Sequence, residues 1–447
     1  MRATTFGWLG IVRLGLVQMA LGAVVVITTT VLNRIMVVEL ALPALLPGLL
    51  VAWHYVVQFA RPRMGHGSDV GGRRTPWIVG GMAVLGAGAV LAAGAVAWAG
   101  SARSEGLALA VLAFALIGLG VSAAGTSLLV LLAKQVPPRR RAPAATIVWL
   151  MMIAGFAITA GAVGQVLDPY SPARLVGVTA VVAVAAFVVA CAALWRLEGG
   201  AFDGAQLAAG EPGRTDFRAA LREVWSEAPA RRFTVFVFVS MLAYSAQDLI
   251  LEPFAGTAFG MTPGQSTALA GLQHGGALLG MIVVALAGPC FAGRALGSMK
   301  AWAIGGCLAS ALALAGLAVA GWVGPGWPLR VNTFALGAAN GAFAIAAIAS
   351  MMRLAGDGHA RREGMRMGLW GAAQALAFGI GGLGGAAASD LARHVVGAPG
   401  PAYGLVFAGE ALLFVVSARL ACRIAAAPAT VPPPRVVGGA WRPSEAT

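Results

Sequence analysis

"RPRMGHGSDVGGRRTPWIVGG" runs from Arg61 to Gly81. Four arginines, a histidine and an aspartate stand here among glycines, in a chain with only 11% charged residues. Apolar stretches flank the segment, over residues 41–60 and 77–99. Each has the length of roughly 20 residues at which a helix crosses the hydrocarbon core of a bilayer. A charged, glycine-rich segment between two such runs is a short loop at a membrane surface. Its glycines permit a tight turn. Asp69 can accept hydrogen bonds from backbone N–H groups at a helix start, or pair with an arginine. The arginines hold the turn at an anionic leaflet.

The rest of the chain extends this pattern. Of 447 residues, 59% are hydrophobic, and the mean hydropathy is +0.82. Soluble domains carry about 25% charged residues, so a water-soluble fold is excluded. A β-barrel is excluded because the apolar runs are long and do not alternate. The expected class is an all-α membrane protein of twelve transmembrane helices. The predicted spans are 9–31, 41–60, 77–99, 107–133, 145–167, 173–195, 233–252, 265–288, 299–321, 329–352, 366–387 and 401–421. The 62 glycines suit close helix packing in lipid. The first apolar run lacks a cleavage signal and reads as a retained span.

The net charge of +14 sits in short loops rather than in one basic patch, so a nucleic-acid partner is not expected. One set of loops holds 25 of the lysines and arginines and the opposite set 5. That bias predicts both termini and the central loop in the cytoplasm. The chain divides into an N-terminal half (1–195), a central loop (196–232), a C-terminal half (233–423) and a Pro-rich tail (424–447) expected to be disordered. The halves resemble each other: "WIVGG" from Trp77 and "WAIGG" from Trp302 lie 225 positions apart, and Trp149 corresponds to Trp370. Two six-helix pseudo-repeats joined by a long loop are the plan of the major facilitator fold.

Within the opening stretch, Gly65, Asp69, Gly72, Arg73 and Arg74 resemble the major facilitator loop signature, roughly G-x-x-x-D-x-x-G-R-[KR]. The counterpart from Gly288 has Ala292 at the aspartate position. The stretch Trp8–Met82 is similar to the PucC family, above all in "LNRIMVVELALPALLPG" and "RPRMGHGSDVGGRRTPWI". These are light-harvesting assembly proteins of photosynthetic bacteria, including the LhaA type, also called bacteriochlorophyll delivery proteins. The resemblance implies residence in the bacterial inner (intracytoplasmic) membrane. It also implies antenna polypeptides and other photosynthetic assembly factors as partners, and bacteriochlorophyll as cargo. Two alternatives stay open: a secondary transporter of a small metabolite or drug, and a non-transporting scaffold for antenna subunits.

Ionisable groups inside spans are costly and face partners or cavities. Arg13 and Gln18 lie in the first predicted helix, and Asn33, Arg34 and Glu39 bracket its outer end. Arg13 has two readings: a side chain that snorkels to the interface, or an ion pair or anionic-ligand contact in a central cleft. His54 and His274, on counterpart helices, are the candidate axial ligands of a magnesium tetrapyrrole, with Trp53 and Tyr55 beside the first. Each histidine is equally open to a packing role. Asp248 and Glu252, four apart on one helix face, are either a proton-coupling pair or a solvated helix end before Pro253. Gln58, Gln273, Asn332, Asn340, Gln374 and Glu410 complete the intramembrane polar set. The four cysteines form no CxxC pair, so neither a metal site nor a disulfide is expected. No nucleophile elbow, HExxH or Walker loop occurs, and the chain is therefore expected not to be an enzyme.

Overall fold

Inside a bilayer, backbone N–H and C=O groups have no water to bond, and a single segment satisfies them only as a helix. The apolar runs obey that constraint. The computed structural model describes residues 6–58, 73–137, 140–198, 222, 225–290, 297–356 and 363–424, with no strand among them. The expected tail, most of the central loop, and Gly65, Asp69 and Gly72 of the loop motif lie outside the described residues.

Among the described residues, twelve helices follow in order. They are α1 (Trp8–Glu39), α2 (Leu45–Val57), α3 (Thr75–Ala99), α4 (Arg103–Gln135), α5 (Arg141–Val166) and α6 (Pro172–Leu194). The second set is α7 (Ala228–Phe259), α8 (Pro263–Cys290), α9 (Met299–Val323), α10 (Leu329–Gly356), α11 (Glu363–Val396) and α12 (Pro399–Ile424). Eleven are long and apolar enough to cross a membrane, and the described part of α2 is shorter. The chain is a multi-pass membrane protein.

Several helix ends differ from the sequence expectation, α11 running to Val396 rather than 387 among them, and two have local reasons. The first helix continues beyond residue 31 to Glu39, through two π-helical turns at Ile27–Val31 and Ile35–Glu39. The seventh passes residue 252 with Pro253 inside it. Packed neighbours make an intramembrane proline tolerable. It stops instead at Gly260, whose φ of 64° is left-handed and whose N–H bonds back to the Ala255 carbonyl. Hydropathy alone registers neither event, because a helix of 32 residues is about 48 Å long and outruns a hydrocarbon core of about 30 Å.

Helix contacts repeat between the halves. α1 packs on α5 and α6 as α7 packs on α11 and α12. α3 packs on α4 and α6 as α9 packs on α10 and α12. α2 meets α4 as α8 meets α10. Between halves, α5 meets α8 and α2 meets α11, with α1 against α7. The cores differ in filling. The first half buries mainly aliphatic residues such as Ile11, Leu14, Val17, Leu85 and Leu128. The second buries an aromatic network: Phe233 packs on Trp370 with ring centroids 4.8 Å apart, and Phe254 on Phe407 at 5.1 Å. Such edge-on pairs add about 0.5–1.5 kcal/mol each beyond their burial.

Candidate functional site

Among the described residues, several polar side chains meet where the halves touch. The π-helical turns of α1 set the first group. A π turn widens the helix and re-aims side chains, and such turns are frequent at functional sites. Here Asn33 and Arg34 are 1% and 2% exposed. Asn33 Nδ2 donates to the Leu249 carbonyl of α7 at 2.6 Å. Arg34 pairs with Glu39 and donates through its second terminal nitrogen to the Met261 carbonyl at 2.8 Å. Its charge also interacts with buried Glu252, which Thr267 of α8 reaches at 3.4 Å. A guanidinium out of water needs counter-charge and acceptors; Glu39 supplies the first from the same helix, and Glu252 and the Met261 carbonyl come from the second half. These residues were expected to bracket an outer helix end. They form a buried junction, because the helix runs on to Glu39.

The second group is a pair of inter-half helix caps. Asp390 of α11 accepts from the backbone N–H groups of Ala44 (2.9 Å) and Leu45 (2.8 Å) at the start of α2. Arg393 pairs with the same carboxylate. Asp168, just beyond α5, accepts from Gly264 N–H at 3.0 Å and from the Thr262 hydroxyl at the start of α8. Carboxylates complement the positive end of a helix. α5 and α11 are counterparts in the repeat, as are α8 and α2, so one device appears twice. Just inside, α5 and α8 touch backbone to backbone: a Cβ on Gly271 would stand 2.7 Å from the Gly161 nitrogen. The sequence reading missed both aspartates. Their signal was available, since they recur at nearly the spacing that separates Trp77 from Trp302.

At the opposite, arginine-rich end the caps among the described residues lie within the first half or join it to the first residues of the central loop. Arg13 Nε donates to the Ala193 carbonyl at 2.8 Å, and Nη2 to the Trp195 carbonyl. The side chain thus reaches toward the arginine-rich end rather than into a central cleft. It satisfies orphan carbonyls at the C-terminus of α6, as cations do. Glu198, also missed from sequence, accepts from Arg74 N–H and Thr75 N–H at 2.9 and 2.8 Å at the start of α3. Among the motif residues, Arg74 is buried and Arg73 exposed.

The proposed pigment residues divide. His54 is buried, and its ring is engaged on both sides: Nδ1 donates to the Val51 carbonyl at 3.1 Å and Nε2 accepts from Gln58 at 2.8 Å. No lone pair is left for a magnesium ion. Trp53 turns outward, 40% exposed, and bonds the Val111 carbonyl of α4. Tyr55 packs on Phe378 of α11, with centroids 6.1 Å apart. The Tyr55 ring also lies against that of His54, with centroids 4.4 Å apart, while Trp53 faces away from both. His274 packs its ring against Phe156 of α5 at 5.1 Å. Gln18 donates to the Met152 sulfur at 3.1 Å.

No direct interaction between Asp248 and Glu252 is found among the described residues. Glu252 is 2% exposed and mid-helix, so the solvated-end reading is corrected. Asp248 instead interacts electrostatically with Glu410 of α12 and with Tyr244. Among the described residues, neither oxygen of Glu410 has a hydrogen-bond partner. Among the described residues no three His, Cys, Asp or Glu side chains gather as metal ligands.

The PUCC protein family matches residues 31–428. The chain belongs to that family. It is 52% identical over 437 residues to the "Bacteriochlorophyll synthase 44.5 kDa chain" of Rhodobacter capsulatus, covering 97% of this chain and 100% of that one. It is 29% identical over 434 residues to "Protein PucC" of Rhodobacter capsulatus, covering 92% and 91%. Among solved structures it is similar to the nucleoside transporter NupG, with a TM-score of 0.65, 14% identity and coverage of 93% and 99%. The peptide transporter POT follows at 0.64, 16%, and 94% and 97%. At such identities the likeness establishes the major facilitator fold and nothing of substrate. One expectation is overturned here. The absence of hydrolase and nucleotide motifs led to the expectation of no enzyme, but a relative half identical over its whole length is named as a synthase chain. Those motifs report on hydrolytic and phosphate chemistry and carry no information about pigment chemistry.

Proposed function

We propose that this chain serves the assembly of photosynthetic light-harvesting antenna complexes, binding or delivering bacteriochlorophyll within the membrane. The observation that carries this reading is its 52% identity, end to end, with the bacteriochlorophyll synthase 44.5 kDa chain. Membership of the PUCC family supports it. The interior agrees with an apolar cargo: the polar groups of α1, α2 and α7 described above are largely engaged with one another or with backbone. Light-harvesting antenna polypeptides and other assembly factors are the partners this reading requires. We assign the arginine-rich end to the cytoplasm on the loop-charge bias, and treat 1–195 and 233–423 as halves joined by 196–232.

Of the two candidate ligands, this reading assigns the pigment magnesium to His274. Its imidazole makes no hydrogen bond among the described residues, and an uncommitted imidazole nitrogen is a good axial donor. A macrocycle arriving there has to displace Phe156, which requires α5 to yield. The test is to purify the chain in mild detergent from photosynthetically grown cells and record its near-infrared spectrum. Bacteriochlorophyll bands are expected to be lost in His274→Ala and kept in His54→Ala. A pigment-free parent protein, together with normal antenna assembly in a deletion strain, would overturn the proposal.

A further inference from the structure

We propose that the arginine-rich end of the α7–α12 contact binds a phosphate oxyanion, carried by an anionic lipid headgroup or free in solution. α7 begins here and α12 ends here. Between them lies a pocket of about 390 Å³ lined by Trp225, Arg231, Arg232, Val235, Leu420 and Arg423. Three arginines therefore line one space. Among the described residues, Arg232 and Arg423 make no hydrogen bond or ion pair, and Arg231 has only a 3.4 Å contact to the Trp225 carbonyl. Like charges lining one pocket repel, and an anion between them relieves that repulsion. The first turn of α7 contains no acidic residue, and Glu227 at its N-cap makes no side-chain cap bond. That turn favours an anion over the cations it carries.

The walls favour the lipid source. Val235 lies one turn deeper than Arg231 and is 38% exposed. Leu420 lies almost one turn deeper than Arg423, on the facing helix. The pocket is thus cationic at the membrane surface and apolar below, the polarity order of a phospholipid. Trp225, 44% exposed, stands at the rim, where indoles settle at membrane interfaces. Guanidinium forks match phosphate oxygens in bidentate fashion, and basic pockets between spanning helices are known headgroup sites.

The test is native mass spectrometry of the full chain, delipidated in detergent and titrated with phosphatidylglycerol or phosphatidylcholine. One phosphatidylglycerol is expected to bind at least about tenfold more tightly than phosphatidylcholine. Each of Arg231→Gln, Arg232→Gln and Arg423→Gln should weaken it about fivefold, and the triple variant roughly a hundredfold. Arg330→Gln, at the other end of the molecule, should leave it unchanged. Millimolar inorganic phosphate that fails to displace the lipid supports a headgroup site. Full displacement supports the same site with free phosphate as its ligand. Undiminished binding in the triple variant, or equal binding of the two lipids, overturns the proposal. A triple Arg→Lys chain that regains most of the affinity shows that charge, and not misfolding, explains the loss.

Discussion

The two ends of the bundle use the same physics to opposite effect. At the arginine-rich end, Arg13 caps the end of α6 and Glu198, at the start of the central loop, caps the start of α3, and neither bond reaches the second half. At the other end, Asp168 and Asp390 cap helices of the half to which they do not belong, and Arg34 of α1 reaches the Met261 carbonyl. One end is stitched without reaching the second half, the other between halves. Removing a charge at the first end should cost stability alone. At the second it should change how the halves sit together.

The largest expected effect comes from Asp168→Asn with Asp390→Asn. Weakening the charge-assisted bonds of both caps amounts to about 3 kcal/mol, roughly a hundredfold in an equilibrium. The readout is Ala386→Cys, a position 1% exposed beside Ala44, in an otherwise cysteine-free chain. Its labelling by an impermeant maleimide should accelerate about a hundredfold, and an unchanged rate would break the distinction between the ends. Glu198→Gln should cost about 1–2 kcal/mol, lowering the thermal midpoint in detergent by a few degrees with the Ala386→Cys rate unaltered. Arg13→Gln should behave likewise at about 1 kcal/mol. The smallest effect is at Tyr170, between α5 and α6. Burial, then the charge of Glu39, pushes its phenol above the ordinary value of 10.0, against a smaller opposing pull from Arg34. A raised folded pKa gives stability that is whole below pH 10 and fades as pH climbs past the folded value. Tyr170→Phe should therefore gain on the parent chain only above pH 10 in alkaline unfolding curves.

Much of the fold was legible because lipid imposes a single solution on a long apolar run. The twelve helices, the repeat and the membrane class all followed from runs of 20 residues and from paired motifs such as those at Trp77 and Trp302. The candidate site was legible only in part. Arg34, Asn33 and Glu252 stood out as costly intramembrane groups, and the structure brings them together. His54 stood out equally, yet Gln58, one turn later, occupies its nitrogen. Asp168 and Asp390 passed unnoticed, because a carboxylate in a loop looks solvated until the partner helix is known. The aromatic core of the second half likewise has no periodic signature, although Phe233 and Trp370 meet across α7 and α11.

The amino-acid sequence by itself determined that this chain crosses the membrane many times in two related halves, since hydropathy and length are properties of each segment alone. Tertiary structure decided which half each charge serves. A cap or an ion pair depends on a distance between segments far apart in the chain, and that distance exists only after the helices have packed.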